Sequence, residues 1–426
     1  MRAQSSSPTT ALGSQPDRLS VMHPVNRPRI LILLKHYEPA FRFGGPIRSV
    51  INLVGALHKE FDFKVVCLNR DFRETQPLDG IEEDVWLNRN GAQVCYVDAS
   101  LSKPLKLVKA IRSTDYDLVY LNSFFEPLFS TLPALLMKIG ILKSQPIIMA
   151  PRGEFSLDAL ALKSFKKALF VRFQWLVKLY GGACWQATTE LEAENIRRAL
   201  GNDIRLWTAP NLSAKVPPTL EKRIAKPTGH LNIVFLSRVS PMKNLLALIR
   251  STGRLRGRVS LDIWGPIDDA EYWRQCQAAM ALLPGNVAAK YCGEAHPELV
   301  PRVFGEADVF ALPTLGENYG HVVHEALASG CPVVISDKTP WRNLAAAGVG
   351  FDVALGNPDS FVQDLQAFVD MDAAEYEQYA ARCRAYAIRT STIDADIAAY
   401  RQMFLQMLMS VAEQGSSKSL VLNDES

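Results

Sequence analysis

The residues best equipped for chemistry lie between 309 and 335, in the stretch VFALPTLGENYGHVVHEALASGCPVVI. Glu317 lies in a polar loop, and Glu325 follows eight positions later in a short amphipathic helix predicted for His321–Ala328. An ionised carboxylate only accepts hydrogen bonds, so each glutamate suits a ligand hydroxyl. A helix start offers free N–H groups and a positive dipole end, so it suits a phosphate. A diphosphate between two hydroxyl-rich rings, as in a nucleotide-sugar, meets both requirements.

The elements around this loop place it at the edge of a sheet. Val309–Leu312 and residues 331–335 are apolar runs with the length of buried strands, and Gly330 fits the end of the helix between them. A strand, a helix and a strand in this order form a parallel pair. Ligands bind beyond the carboxyl ends of the strands in open parallel sheets, which is where Glu317 falls. Taken alone, two glutamates at this spacing are a weak signal, because they are more often two solvated carboxylates.

Two other loops carry groups that suit a phosphate. Gly44 and Gly45 stand between a predicted strand at 29–34 and a predicted helix at 47–57, where glycine allows close backbone approach. Arg238 and Lys243 follow a strand at 231–237; the planar fork of arginine and the point charge of lysine both bind a diphosphate. By itself each feature is also compatible with an ordinary turn or a solvated loop.

Composition narrows the class of protein. The chain has 426 residues, enough for two or three domains, and its net charge of +3 is too small to argue for nucleic acid. Seven cysteines are scattered without a C-x-x-C pair, which predicts buried, reduced thiols. No apolar run approaches the ~18 residues of a spanning helix, and the first residues lack the apolar core of a secretory signal. We therefore expect a cytoplasmic protein.

Apolar runs alternate with helical patterns through most of the chain, which predicts an α/β protein with two doubly wound domains. The predicted divisions are a disordered tail at 1–26, a first domain at 27–212, a linker at 213–229, a second domain at 230–390, a C-terminal helix at 391–412 and a second disordered tail at 413–426.

The motif GENYGHVVHEALASGCPVV resembles the E-x7-E signature of retaining GT-B glycosyltransferases of glycosyltransferase family four. The resemblance covers about residues 28–410, and residues 122–125 and 150–156 resemble bacterial members that build surface polysaccharides. It implies two Rossmann-like domains facing across a cleft. It also implies transfer of a sugar, with retention of configuration, from a nucleotide-sugar donor to a glycan or lipid-linked acceptor. The C-terminal helix commonly returns to the first domain in this family.

The resemblance also implies roles for the candidate residues. Arg238 and Lys243 would hold the donor diphosphate without a metal, Glu317 would meet the transferred sugar, and Glu325 would meet the nucleoside ribose. No cofactor is therefore expected. The candidate catalytic residues are Glu317, Arg238, Lys243 and Asn122, and the candidate substrate-binding residues are Gly44, Gly45, Arg152, Glu154, Asn318, Tyr319, Gly320, His321 and Glu325.

Asn122 marks a departure from the family pattern, because many relatives carry a histidine in that loop. Asn122 or Ser123 can donate a hydrogen bond in its place, and His321 is the nearest alternative donor if it is not a surface residue of its helix. Arg152 and Glu154 follow another predicted strand. They are expected either to meet donor or acceptor in the cleft or to pair with each other.

Residues 159–178 combine basic and aromatic side chains on a predicted helix, and no acidic residue occurs from 159 to 189. Such a helix suits the surface of an anionic membrane, where a lipid-linked acceptor would be found. A core helix with a basic outer face fits the same pattern. The residues concerned are Lys163, Lys166, Lys167, Arg172 and Lys178, mixed with Phe165, Phe170, Phe173 and Trp175.

Two other functions remain open at this point. A sugar-nucleotide epimerase of the same fold would convert the donor with no acceptor. A non-catalytic partner subunit would bind a nucleotide-sugar or a glycan, and the missing first-domain histidine keeps that function in view. The presence of Arg238, Lys243, Glu317 and Glu325 together argues against it.

Overall fold

The structure, a computed structural model, describes residues 27–156, 160, 164–214, 216, 225–391 and 393–423, with side chains described as far as Ser410. The predicted tail at 1–26 and most of the predicted linker lie outside the described residues. Two α/β domains are followed by one long helix. The prediction of two doubly wound domains is confirmed.

The first domain is built on an eight-stranded sheet with the order β3-β4-β2-β1-β5-β6-β7-β8. Buried residues form one core on each side of it, because strands buried on both faces need helices on both faces. The strands are β1 (Arg29–Leu33), β2 (Asp62–Leu68), β3 (Trp86–Arg89), β4 (Ala92–Val97), β5 (Leu118–Asn122), β6 (Ile147–Ala150), β7 (Cys184–Ala187) and β8 (Arg205–Thr208). The helices are α1 (Gly45–Leu57), α2 (Lys103–Arg112), α3 (Leu132–Lys138), α4 (Ser164–Leu176) and α5 (Glu190–Leu200).

Strand β3 was not predicted from the sequence. It pairs antiparallel with β4 at the sheet edge, and its side chains are half-buried or exposed, so it lacks the apolar run of the other strands. Asn90 and Gly91 form the turn, both with positive φ (40° and 93°). An Asn-Gly pair is a strong hairpin signal, and it was overlooked.

The second domain is built on a six-stranded parallel sheet with the order β11-β10-β9-β12-β13-β14 around a single connected core. The strands are β9 (His230–Leu236), β10 (Arg258–Trp264), β11 (Val287–Gly293), β12 (Val309–Leu312), β13 (Val333–Ser336) and β14 (Gly350–Val353). The helices are α6 (Leu245–Thr252), α7 (Ala270–Met280), α8 (Val300–Glu306), α9 (His321–Ala328), α10 (Leu344–Ala347), α11 (Pro358–Asp370) and α12 (Ala373–Thr390).

The last helix, α13 (Ile393–Asn423), packs on the first domain. Phe404 lies edge-on to Phe61 and Tyr120, with ring centroids 5.3 and 5.9 Å away. Arg401 Nη2 donates to Glu60 at 2.7 Å. The helix continues to Asn423, beyond the point at 413 where the sequence predicted a tail, because extending an existing helix costs little. Among the described residues no helix is long and apolar enough to cross a membrane.

Candidate active site

A cleft of about 780 Å³ lies between the two domains, and all thirteen candidate residues line it. The carboxyl ends of β1, β5 and β6 face it from the first domain, and those of β9 and β12 face it from the second. The parallel order of each sheet brings these strand ends to one edge. Residues spread over most of the chain therefore meet in a space large enough for a small organic ligand.

Glu317 and Lys243 form the closest charged pair in the second-domain half of the cleft. Lys243 Nζ donates to Glu317 Oε2 at 2.6 Å, and Lys243 is only 8% exposed. Lys243 ends a short 3-10 turn after β9, and Glu317 follows the neighbouring strand β12. An ammonium group has three donors, so Lys243 can hold Glu317 and a phosphate oxygen together.

Arg238 is partly exposed, and few of its guanidinium N–H groups are used in hydrogen bonds to the described residues. Its Nη1 bonds Asp268 Oδ2 at 3.1 Å, and its guanidinium lies 5.9 Å from the ring centre of Phe72 in the first domain. Asp268 also binds Arg73 of the first domain at 2.9 Å, so it is shared between two cations. Most of the five N–H groups of Arg238 remain available for an anion.

Gly265 and Gly320 allow this half of the cleft to form. Gly265 has φ 132°, and a Cβ atom there would lie 2.0 Å from the carbonyl oxygen of Ser237, next to Arg238. Gly320 has φ 79° at the start of α9, and a Cβ atom would lie 3.3 Å from Glu317 Cγ. A side chain at either position would displace a loop that carries a candidate residue. No described side chain caps α9. Val323 N donates to the carbonyl oxygen of Gly320, and the N–H groups before it are available to a ligand.

Glu325 lies one turn into α9 and is 20% exposed. Its Oε1 is 3.6 Å from Arg48 Nη2, on α1 of the first domain. Burial raises the pKa of Glu325, and the charge of Arg48 opposes that rise. The carboxylate is therefore accessible from the cleft and held only loosely by its cation.

Three residues predicted to bind substrate use their side chains to join the two domains. All three belong to the loop before α9 or to its first turn. The contacts are Asn318 Nδ2 with Thr188 Oγ1 at 3.3 Å, the Tyr319 hydroxyl with Ser213 Oγ at 2.5 Å, and His321 Nε2 with Ser49 Oγ at 2.9 Å.

His321 is a buried, neutral domain contact. Ser49 Oγ donates to the carbonyl oxygen of Gly45 at 3.0 Å, so it accepts from Nε2–H of His321. Burial, reinforced by the charges of Arg152 and Arg48, lowers the pKa of His321 to about 3. The interpretation as a surface histidine is therefore wrong. His321 was the alternative donor for the sugar, and its Nε2–H proton is already donated to Ser49.

Asn122 carries a donor that nothing in the described protein satisfies. Its Oδ1 accepts from Arg152 Nε at 3.1 Å and from Arg152 Nη2 at 2.9 Å, which fixes which end of the amide is oxygen. Nδ2 is buried and has no hydrogen-bond partner among the described residues. An unsatisfied buried donor costs about 1–3 kcal/mol. A ligand acceptor beside Asn122 would remove that penalty.

Arg152 and Glu154 are not paired with each other, and neither is free. Arg152 also donates to Asn211 Oδ1 at 2.5 Å and to the Tyr120 hydroxyl at 2.8 Å. Glu154 accepts from Phe124 N at 2.6 Å, from Phe125 N at 3.1 Å and from the Ser123 hydroxyl. Both residues line the cleft as predicted, whereas the prediction of a local Arg–Glu pair is wrong: Glu154 shapes the loop after β5, and Arg152 orients Asn122. The Ser123 hydroxyl likewise donates its hydrogen bond to Glu154.

His36 was missed by sequence reasoning, although it lines the cleft directly after β1. Its Nδ1–H donates to the carbonyl oxygen of Arg70 at 2.8 Å, so Nε2 carries a lone pair. That atom is buried without a partner in the described chain, and burial lowers the pKa of His36. The position of His36 in the sequence could have identified it. It is a polar residue just after the predicted strand at 29–34, and ligands bind beyond the carboxyl ends of such strands.

Two aspartates outside the cleft have a structural partner. Asp115 and Asp117 both bind Arg29, at 2.9 and 2.8 Å.

Over the described ranges there is no group of three or more His, Cys, Asp or Glu residues placed to hold a metal ion. All seven cysteines are free thiols, and six are buried.

Residues 218–390 match the family model described as glycosyl transferases group 1. A GDP-mannose-dependent alpha-mannosyltransferase of Mycolicibacterium smegmatis is 23% identical over 84% of this chain and 92% of its own length. A D-inositol 3-phosphate glycosyltransferase of Geodermatophilus obscurus is 27% identical, and an uncharacterized glycosyltransferase of Methanocaldococcus jannaschii is 26% identical. These last two align over only 39% and 42% of their own lengths.

Solved structures are similar over nearly the whole chain. HepE of Anabaena in complex with UDP and glucose has a TM-score of 0.63 at 17% identity, covering 92% of this chain and all of that one. Sucrose-phosphate synthase from Thermosynechococcus elongatus has a TM-score of 0.67 at 16% identity, covering 90% of this chain and all of that one. The two domains facing across a cleft are therefore the GT-B fold that the resemblance implied.

Proposed function

We propose that this GT-B glycosyltransferase moves a sugar from a nucleotide-sugar donor to a glycan or lipid-linked acceptor, with retention of configuration, in polysaccharide biosynthesis. The observation that carries the proposal is the convergence of Lys243, Arg238, Glu317 and the uncapped start of α9 in one half of the cleft. A solved neighbour in complex with UDP-glucose, HepE, supports the same class of donor.

The main chemical task is to stabilise the charge that develops on the leaving diphosphate. Lys243 and Arg238 supply positive charge, and the first N–H groups of α9 supply dipoles that are already oriented. Lys243 is almost fully buried, which strengthens its interaction with an anion relative to water. These groups meet the electrostatic requirement from the protein's own residues.

Glu317 and Glu325 have different tasks in this proposal. Glu317 is held by Lys243, next to the expected leaving group, so its remaining lone pairs accept hydroxyls of the transferred sugar. Glu325 lies deeper along α9 and accepts hydroxyls of the nucleoside ribose. Asn122 Nδ2 donates to the transferred sugar from the opposite domain, in an orientation that Arg152 determines.

Ligand-dependent thermal stabilisation tests the donor class directly. A ligand that binds the folded state raises stability by about 2.7 kcal/mol at one hundred times its Kd. We expect a nucleoside diphosphate and one nucleotide-sugar to raise Tm, with inorganic phosphate at the same concentration as the charge control. If no nucleotide raises Tm beyond phosphate at millimolar concentration, the donor assignment is wrong.

Product analysis then separates transfer from the alternatives. A transferase consumes donor in proportion to acceptor and leaves an axial or equatorial anomeric bond that matches the donor, which proton NMR coupling constants report. An epimerase converts the donor with no acceptor present. A non-catalytic binding subunit is stabilised by the donor but does not convert it, whether or not an acceptor is present.

A further inference from the structure

Four large apolar side chains point outward along α4. Phe165 is 81% exposed, Leu169 60%, Phe173 47% and Leu176 75%. Their spacing of four, four and three residues puts them on one stripe of the helix. The opposite face packs on the domain, where the Phe170 ring lies 5.2 Å from the ring of buried Phe124.

Helix α3 and the turn after it extend this apolar surface. Leu135, Ile139 and Ile141 are 38%, 57% and 50% exposed. Lys138 Nζ, at the end of α3, donates to the carbonyl oxygen of Lys178, just beyond α4, at 3.2 Å. The two helix ends are therefore adjacent, and together they hold seven of the sixteen exposed large hydrophobic residues of the described chain. We call these seven side chains the α3–α4 patch. Apolar groupings of this kind mark interaction surfaces.

The sequence around the α3–α4 patch carries charges of almost one sign. Between residues 127 and 189 the sequence holds only two acidic residues, Glu154 and Asp158. Glu154 is bound to the loop after β5, and Asp158 lies outside the described residues. The exposed basic residues are Lys138, Lys143, Lys166, Arg172 and Lys178.

We propose that the α3–α4 patch docks on an anionic lipid membrane, with its apolar side chains entering the interface and its basic residues meeting the headgroups. Apolar insertion together with electrostatic attraction is the combination that binds helices to such surfaces. Aliphatic side chains, which make up five of the seven, have no ring to stack on a base, so a single-stranded nucleic acid fits the patch less well.

The patch lies directly behind the first-domain side of the cleft. Lys167 Nζ is 5.0 Å from the ring centre of Phe125, and Phe125 belongs to the loop that follows Asn122. Ser123 and Glu126 of the same loop line the cleft. Resting on the proposed function, this connection names the acceptor class: an amphiphile held in the membrane on which the patch docks.

Vesicle sedimentation tests the docking without donor or acceptor. The full chain is mixed at low salt with vesicles containing an acidic phospholipid, with purely zwitterionic vesicles and with a single-stranded oligonucleotide. We expect sedimentation with the acidic vesicles, weakening as salt is added. If the wild-type chain stays in the supernatant, or binds the oligonucleotide in preference, membrane docking is wrong.

Two double variants separate the electrostatic and apolar contributions. One basic residue near an anionic surface contributes about 1 kcal/mol, a five-fold change in binding, so K166E/R172E should lower partitioning by at least about 25-fold. Its control is K59E/R256E, which reverses two exposed basic residues elsewhere.

Leu169→Ser with Phe173→Ser should lower partitioning by about 25-fold or more, because burial of each side chain contributes over about 1 kcal/mol, about five-fold. Leu101→Ser with Leu282→Ser changes two exposed side chains outside the patch and should bind like wild type. Patch variants that sediment like wild type would overturn the proposal.

The acceptor class is tested separately. On a water-soluble acceptor the patch variants should turn over like wild type, whereas on a vesicle-borne lipid-linked acceptor they should be slower at low lipid concentration. Equal rates on vesicles would overturn the acceptor inference. Absence of transfer in every protein, with vesicle binding intact, would overturn the proposed function and leave the docking standing.

Discussion

The two walls of the cleft are built on different principles. The second-domain wall consists of Arg238, Lys243, Glu317 and Glu325, which are charged residues from two adjacent strand ends and one helix. The first-domain wall also holds charged residues, Arg48 and Arg152 among them, but its buried atoms without a partner in the described chain are a lone pair on His36 and an amide N–H on Asn122. Charge on one wall suits a diphosphate, and neutral polar groups on the other suit sugar hydroxyls.

The walls also differ in how their residues are held. On the second-domain wall Lys243 and Glu317 hold each other, and either can turn to a ligand. On the first-domain wall Asn122 depends on Arg152, which in turn depends on Tyr120 and Asn211. We therefore expect substitutions on the second-domain wall to act directly on ligand charge, and those on the first-domain wall to act through orientation.

The largest effect is expected from Lys243→Ala or Arg238→Ala. Removing one preorganised donor to the leaving diphosphate should raise the barrier by about 2–4 kcal/mol, a loss of roughly 30-fold to 10³-fold in kcat. The measurement is initial rate at saturating donor, with Lys290→Ala, an exposed lysine on β11, as the control. Rates within a few-fold of wild type in both variants would remove the second-domain wall from the chemistry.

Glu317→Gln and Glu325→Gln test whether the two glutamates of the second-domain wall have different roles. Glu317 is expected to contact the reacting sugar, so its variant should lose mainly kcat, by about ten-fold or more. Glu325 is expected to contact the ribose, so its variant should raise mainly the KM for donor, because uniform binding is lost. Glutamine keeps the size of each side chain, and circular dichroism checks the fold. A reversed pattern would exchange the two roles.

Asn122→Asp tests the first-domain wall. Aspartate keeps both contacts to Arg152 and adds an ion pair, but it cannot donate where Nδ2 did. We expect stability to hold or rise while kcat falls about ten-fold, near the 1.4 kcal/mol of one hydrogen bond to a ligand. Urea denaturation and donor-saturation kinetics give the two numbers. Unchanged kcat would mean that Asn122 only accepts from Arg152 and has a structural role.

His321 should make the domain contact sensitive to acid. Its pKa in the folded state is lowered to about 3, so between that value and its ordinary pKa near 6.5 the unfolded chain binds more protons. Its contribution to stability is therefore complete above the ordinary value and is lost as the pH falls towards 3. Urea midpoints at pH 7 and pH 4.5 should differ less in His321→Gln than in wild type. An equal difference in both proteins would contradict a buried, neutral His321.

The smallest effect is expected from chelation. If Lys243, Arg238 and the start of α9 hold the diphosphate, EDTA should leave the rate unchanged. The measurement is the initial rate before and after EDTA, followed by addition of Mg²⁺ or Mn²⁺. A complete loss that either ion restores would show that a divalent cation shares the work of the second-domain wall.

The architecture and the residues of the second-domain wall could be predicted from the amino-acid sequence. Val309–Leu312 and His321–Ala328 were predicted with the bounds that the structure has, because buried strand runs, helix periodicity and glycines at helix ends act over a few residues. Glu317 and Glu325 were found for the same reason, because both lie in one short stretch of the sequence, a loop and the helix that follows it.

The roles of the first-domain wall residues could not be predicted from the sequence and became clear from the folded chain. Whether Glu154 faces a ligand or holds the loop after β5, and whether Nε2–H of His321 is free or donated to Ser49, depends on partners 30 and 272 residues away. The neutral state of His36 likewise depends on burial by packed rings and on a carbonyl group beyond β2. Hydrogen bonds and burial depend on distances in space. A local sequence pattern does not identify the hydrogen-bond partner of a side chain when that partner is distant in the sequence.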